Sequence, residues 1–103
     1  MQVQSAWQTL PATPAYKCSA AILAGNLLAI GGDETAEGGA YMREMYMFST
    51  NINSWIYIGD LPEPLSKNAV AVLSPVDILV IGGYGQNREK LNRVYKGTLT
   101  LKI

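Results

Sequence analysis

The feature that most constrains the fold of this chain is an apolar run that ends in two glycines and occurs twice. The first copy covers residues 27–32 (LLAIGG), and the second, residues 78–83 (ILVIGG), begins 51 residues later. Four apolar residues followed by a Gly-Gly pair predict a buried strand that ends in a sharp turn. Self-similarity at a period of about 50 residues is typical of repeat architectures. We therefore expect two copies of one structural unit.

The composition argues against several classes of function. The 103-residue chain carries eight basic and eight acidic residues, so it lacks the excess positive charge that nucleic-acid binding demands. It contains no histidine, which is the commonest general base and transition-metal ligand. Its single cysteine, Cys18, argues against a zinc site within one chain. We expect no enzyme activity, no cofactor and no bound metal.

The chain also lacks the patterns that direct proteins into or across membranes. The best apolar stretch, residues 20–30, is interrupted by Gly25 and Asn26 and is shorter than the roughly 18 residues of a transmembrane helix. Residues 1–4 do not begin a recognisable signal peptide. One cysteine cannot form an internal disulfide, which favours a reducing compartment. These features favour a cytoplasmic protein that does not bind membranes.

Short β-forming segments separated by glycines, prolines and polar clusters predict an all-β fold. Residues 25–26 predict a two-residue hairpin turn, because both residue types tolerate positive φ. Residues 41–49 are predicted as a strand, although Met, Glu and Arg in this segment also favour a helix. The predicted strands are 1–10, 16–24, 27–30, 41–49, 54–59, 67–73, 78–81 and 92–99.

Aromatic residues recur at similar distances after each glycine pair. Tyr46 lies 14 residues after Gly32, Tyr95 lies 12 residues after Gly83, and Trp55 follows Tyr46 by nine residues. A Leu-Pro pair follows each of the two tryptophans. Over nearly the whole chain this pattern resembles the kelch repeat. The resemblance implies a β-propeller in which each repeat is one four-stranded blade, with strands A to D from the centre outward.

The residues that carry the resemblance also have physical reasons to pack blades together. A glycine pair lets the backbone turn with positive φ and lets neighbouring blades approach closely. Tyrosine and tryptophan supply large, rigid areas for packing one blade against the next. The expected blade-packing and assembly residues are Trp7, Gly31, Gly32, Tyr46, Trp55, Gly82, Gly83 and Tyr95.

The frame of the repeats predicts that one chain is not a closed ring. The predicted strand order is D-A-B-C-D-A-B-C, with residues 1–10 as an exchanged outer strand, 16–61 as the first blade, and 67–103 as a second blade that lacks its outer strand. Two blades leave two apolar faces open, and a head-to-tail contact between copies closes into a ring when the rotation permits. Kelch-like propellers are commonly six-bladed, so we expect three copies. Rings of two, four or five copies, a fragment of a longer propeller, and an engineered repeat unit are the alternatives.

The predicted B–C loops, 33–40 and 84–91, share one face with the D–A connections, 11–16 and 62–66. Polar loops on one face of a rigid scaffold are the usual place for recognition. We therefore expect a scaffold whose loop face binds a protein or a peptide. A carbohydrate-binding or carbohydrate-active propeller and a structural unit without a ligand are the alternatives. The candidate residues on this face are Asp33, Glu34, Glu37, Tyr84, Arg88 and Lys90.

Overall fold

The computed structural model describes residues 5–100, which form nine β-strands and no helix. The prediction of an all-β fold is confirmed. The strands are β1 (Ser19–Leu23), β2 (Asn26–Ile30), β3 (Asp33–Thr35), β4 (Gly38–Tyr41), β5 (Glu44–Ser49), β6 (Ser54–Asp60), β7 (Ala69–Val72), β8 (Asp77–Ile81) and β9 (Val94–Thr98).

The strands form two larger antiparallel sheets and one small hairpin. The first sheet has the order β1-β2-β5-β6, and the second sheet has the order β7-β8-β9. The hairpin β3–β4 lies within the loop that joins β2 to β5. Residues 44–49 form strand β5 rather than the helix that their composition also favours. Met45 and Met47 are buried and alternate with less buried residues, which is the burial pattern of a strand. Each sheet therefore repeats the same up-and-down connection of its first three strands.

The apolar runs that precede the glycine pairs form the strands at the centre of the fold. Strand β2 buries Leu28 and Ile30, and strand β8 buries Ile78 and Val80. These side chains belong to one core that also contains Leu23, Met45, Met47, Leu61 and Leu65. Because a strand points alternate side chains to opposite faces, each sheet presents one face to this shared core. The core therefore lies between the two sheets.

The hairpin turn that joins β1 to β2 lies one residue earlier than predicted. Ala24 and Gly25 occupy the turn with φ values of 49° and 81°, and Asn26 already begins β2. The Asn26 amide donates hydrogen bonds to the carbonyl oxygens of Leu23 and Ala24 at 3.3 and 3.2 Å. Asparagine therefore stabilises this turn from its flank rather than by adopting positive φ itself.

Residues 5–10 are not part of either sheet. Residues 5–10 form no strand, and the Trp7 side chain is 95% exposed, whereas residues 1–4 lie outside the described part of the chain. Residues 5–10 of the predicted strand 1–10 therefore form no strand within a single copy, and the pairing of residues 1–10 with a second copy stays a prediction. Pro11, which follows this segment, contacts the first sheet, since the Trp55 indole Nε1 donates to the Pro11 carbonyl oxygen at 3.2 Å.

Candidate functional site

The glycine pair of the first repeat lies where the chain enters the second sheet. The Gly32 N–H donates to the Leu65 carbonyl oxygen at 2.9 Å, and the Leu65 N–H donates to the Met42 carbonyl oxygen at 3.2 Å. A Cβ atom placed on Gly31 would lie 2.6 Å from the same Leu65 oxygen, which is closer than atoms can approach. Glycine at this position therefore lets the connection 61–68 lie directly against the first sheet.

The same positions in the second repeat have no such neighbour. Leu91 N–H donates to the Gly83 carbonyl oxygen, just as Met42 N–H donates to that of Gly32, so Gly83 and Leu91 are the equivalents of Gly32 and Met42. Within residues 5–100, however, the Gly83 N–H has no backbone acceptor and the Leu91 carbonyl has no backbone donor. The backbone groups that join the two sheets in the first repeat therefore have equivalents in the second repeat, Gly83 N–H and the Leu91 carbonyl, that form no such hydrogen bonds within residues 5–100. We call this the unused bonding pattern.

Asp33 does not project from the loop face, although the sequence places it in an exposed polar loop. Its side chain is 2% exposed and accepts a hydrogen bond from the hydroxyl of Ser66, which is fully buried. The Lys17 ammonium lies 3.6 Å from the second carboxylate oxygen. A buried carboxylate needs such partners because its desolvation is costly. Asp33 is therefore a structural link between the first repeat and the connection 61–68.

The connections into β1 and β7 do lie beside the predicted loops. Tyr16 pairs with Asp33, and Ser66 pairs with Tyr84, in isolated antiparallel bridges. The Tyr84 ring is half-buried, and the Lys67 ammonium lies 4.9 Å from its centroid, within the range of a cation–π contact. These bridges bring the loops and connections of both repeats to one face, which we call the loop face.

Arg88 connects the loops of the two repeats. Its guanidinium donates to the Tyr41 hydroxyl at 2.9 Å and to the Gly39 carbonyl oxygen at 3.1 Å. The same group lies 5.0 Å from the centre of the Tyr41 ring. The side chains of Glu34, Glu37 and Lys90 are exposed, and within the described chain none of them forms a salt bridge. One of the four exposed candidate charges is thus already used inside the chain, and three are available to a partner.

A third cross-link was not predicted from the sequence. Glu63 accepts hydrogen bonds from Arg93 at 2.6 Å and from the Tyr95 hydroxyl, so it ties the connection 61–68 to β9. The hydrogen bonds from Tyr95 and Arg93 lower the pKa of Glu63, and the same bond to Glu63 raises the pKa of Tyr95. No local motif could have revealed this group, because Glu63 lies 30 residues from Arg93.

The faces that point away from the shared core are also apolar. On the first sheet, Phe48 and Trp55 are paired edge to face at 5.3 Å, and Tyr46 and Tyr57 at 6.0 Å. Tyr57 is 54% exposed. On the second sheet, Ile81 pairs with Val94, which is 57% exposed. Exposed apolar patches on a sheet commonly mark interaction surfaces.

A groove of about 250 Å³ runs beside β9, the edge strand of the second sheet. Its apolar wall continues the shared core and includes Met45, Leu61, Ile78, Val80, Tyr95 and Leu99. An unpaired edge strand presents free N–H and C=O groups, which is where another strand can add. Within residues 5–100, no three carboxylate or thiol side chains lie close enough together to hold a metal ion.

The chain is similar in structure to proteins of known structure. No protein-family model matches the chain, and no curated protein matches it. It is similar in structure to YjhT. The two chains share 25% sequence identity with a TM-score of 0.66, over 80% of this chain and 25% of the YjhT chain. This chain therefore spans about a quarter of the YjhT chain.

No helix within the described residues is both long enough and apolar enough to cross a bilayer.

Proposed function

We propose that this chain is a two-blade, kelch-like unit that completes a β-propeller with other copies of itself and acts as a non-enzymatic scaffold. The observation that carries the proposal is the unused bonding pattern at Gly83 and Leu91. In the first repeat the equivalent groups bind Leu65, which leads into the next sheet. A third blade entering at the same place would pair with both groups, as Leu65 does in the first repeat.

The two outward faces support a head-to-tail arrangement of copies. The outward face of the first sheet is aromatic, with Phe48, Trp55 and Tyr57, whereas that of the second sheet is aliphatic, with Ile81 and Val94. Two different faces on opposite sides of one unit generate a heterologous contact, which forms a ring when the rotation closes. We propose three copies and six blades. The match to only a quarter of the YjhT chain supports the view that this fold is one part of a larger architecture.

The edge strand β9 is the proposed site of strand exchange. Residues 1–10 of a second copy would add alongside β9 as the outer strand of the second blade, and the exposed Trp7 would then be covered by the groove beside it. Burial of a large aromatic side chain stabilises such a contact by about 1.5–3 kcal/mol. In a six-bladed ring this exchange would occur once per copy.

Light scattering of the purified chain tests the proposal. One copy has a mass of 11.2 kDa, and a closed ring of three copies would have three times that mass. Deletion of residues 1–10 should convert the ring to single chains. A folded, single-copy protein with a β-sheet circular dichroism spectrum would overturn self-assembly. Binding of a protein, a peptide or a carbohydrate to the loop face stays a prediction of the sequence.

A further inference from the structure

The contact that Arg88 makes is a contact between equivalent loops of successive repeats. Arg88 lies five residues after Gly83, near the tip of its loop. It reaches Tyr41, the residue that pairs with Asp33 at the base of the hairpin in the preceding repeat. The loop of one repeat therefore rests on the returning strand of the loop before it. In a ring of identical copies this relation recurs at every seam between copies.

The repeat assigns a matching pair of residues to the seam between two copies. Counted from the glycine pair, Glu37 lies five residues after Gly32, as Arg88 does after Gly83, although the loop from Gly32 to Met42 is two residues longer than the loop from Gly83 to Leu91. Lys90 pairs with Tyr84 in the second repeat, as Tyr41 pairs with Asp33 in the first. At the seam between two copies, the first repeat of one copy follows the second repeat of the preceding copy. Glu37 then takes the place of Arg88, and Lys90 of the preceding copy takes the place of Tyr41.

The charges at these positions are complementary. Glu37 and its neighbour Glu34 are acidic and exposed, and Lys90 is basic and exposed. Glu89, beside Lys90, has its carboxylate turned back over Gly85, since a Cβ on Gly85 would lie only 2.2 Å from it. Lys90 is therefore the charge that the second repeat presents at this place.

We infer that Glu37 of one copy and Lys90 of the preceding copy form an ion pair across the seam of the assembled ring. The inference rests on the proposed self-assembly and specifies the surface by which one copy recognises another. Complementary charges at the rim of an apolar interface favour the correct register and disfavour wrong partners. The aliphatic and aromatic faces would contribute most of the free energy of association, and this ion pair would fix the register of the loops at the seam.

Charge reversal tests the pair, with the mass of the assembly at a series of chain concentrations as the readout. Glu37→Lys and Lys90→Glu should each weaken association about two- to fivefold at every seam, as expected for an exposed ion pair. The double variant, with both charges exchanged, should recover the wild-type association. Asn51→Glu, in the exposed turn between β5 and β6, adds negative charge away from the loop face and should leave association unchanged.

The possible outcomes separate this inference from the proposed assembly. If the wild-type chain remains a single copy, the self-assembly proposal fails first. If the wild-type chain assembles but neither single variant weakens it, or the double variant does not recover it, the ion pair is wrong and the assembly stands. Mixing the Glu37→Lys chain with the Lys90→Glu chain should recover part of the association, because a ring of three copies that contains both chains has two matched seams and one mismatched seam, whereas a ring of either chain alone has three mismatched seams. No gain on mixing would overturn the pair.

Discussion

The buried carboxylate of Asp33 accepts a hydrogen bond from the buried hydroxyl of Ser66, and the two residues belong to different repeats. This bond lies beside the backbone contact of Gly32 with Leu65, so polar and backbone interactions fix the second sheet at the same place. A buried hydrogen bond of this kind contributes more to orientation than the apolar core alone, because it has a defined direction. The hydrogen bonds of Asp33 with Ser66 and of Gly32 with Leu65 therefore fix the relative position of the two sheets.

Replacement of Ser66 by alanine should destabilise the fold by about 1–3 kcal/mol, because it leaves a buried carboxylate with one partner fewer. Urea unfolding followed by circular dichroism measures this change. Ser54→Ala, at an exposed position in β6, is the matched control and should change stability by less than about 0.5 kcal/mol. Equal effects of the two substitutions would show that the Asp33–Ser66 bond does not hold the sheets together.

Substitution of Gly31 by alanine should cost more than the same change at Gly25. Both glycines have positive φ, so each alanine incurs about 1–2 kcal/mol of backbone strain. At Gly25 an added Cβ has nothing within 4 Å, whereas at Gly31 it would collide with the Leu65 carbonyl. Overpacking adds about 1–3 kcal/mol at Gly31. The free energies of unfolding of the Gly31→Ala and Gly25→Ala chains, measured in urea, give the cost of the close approach between Gly31 and Leu65. Equal values for the two variants would contradict that close approach.

The strands of the two larger sheets could be predicted because their signals are local, whereas the hairpin β3–β4 forms in a segment that was predicted as a polar loop, and residues 5–10 of the predicted strand 1–10 form no strand. The apolar run before Gly31 and its copy before Gly82 predicted β2 and β8, and the bounds differ from the structure by one residue. Burial with a period of two also distinguishes β5 from a helix once Met45 and Met47 are seen to lie on one face. Element type follows from sequence neighbours, and these are visible in a single chain.

The contacts of the candidate site depend on distant residues and could not be predicted in the same way. Asp33 belongs to a polar segment, and only the approach of Ser66 from the next repeat explains its burial. Arg88 was predicted as a free charge of the loop face, but its contact with Tyr41 comes from a residue 47 positions away. The repeat helps here, because one observed contact between repeats predicts the next.

The Glu63 cluster should make stability depend on pH in the acid range. The folded-state pKa of Glu63 lies below its ordinary value of 4.5, because Tyr95 and Arg93 donate to the carboxylate. Its contribution is therefore present above about pH 4.5 and is lost as the pH falls through the lowered value. Glu63→Gln should lower the free energy of unfolding at pH 7. It should also make the difference between the free energies of unfolding at pH 7 and at pH 3 smaller than in the wild-type chain, as measured by urea unfolding.

Arg93→Gln provides the comparison for this prediction. It removes one of the two hydrogen-bond donors that lower the pKa of Glu63 and leaves the Tyr95 hydroxyl in place. Its acid dependence should therefore lie between those of the wild-type chain and of Glu63→Gln. A Glu63→Gln variant with the full acid dependence of the wild-type chain would assign that dependence to other carboxylates, such as Asp77, whose pKa Thr98 and Ser74 also lower.

The two tryptophans should respond differently to alanine substitution. Trp55 packs edge to face on Phe48 and donates to the Pro11 carbonyl, so Trp55→Ala should lower the stability of each chain by about 2 kcal/mol. Trp7 is exposed in the single chain, so Trp7→Ala should leave the unfolding of a dissociated copy unchanged and should weaken self-association about tenfold or more. Urea unfolding at low chain concentration measures the first effect, and light scattering across a dilution series measures the second. A Trp7→Ala chain that assembles as tightly as the wild-type chain would mean that residues 1–10 do not cover the groove beside β9.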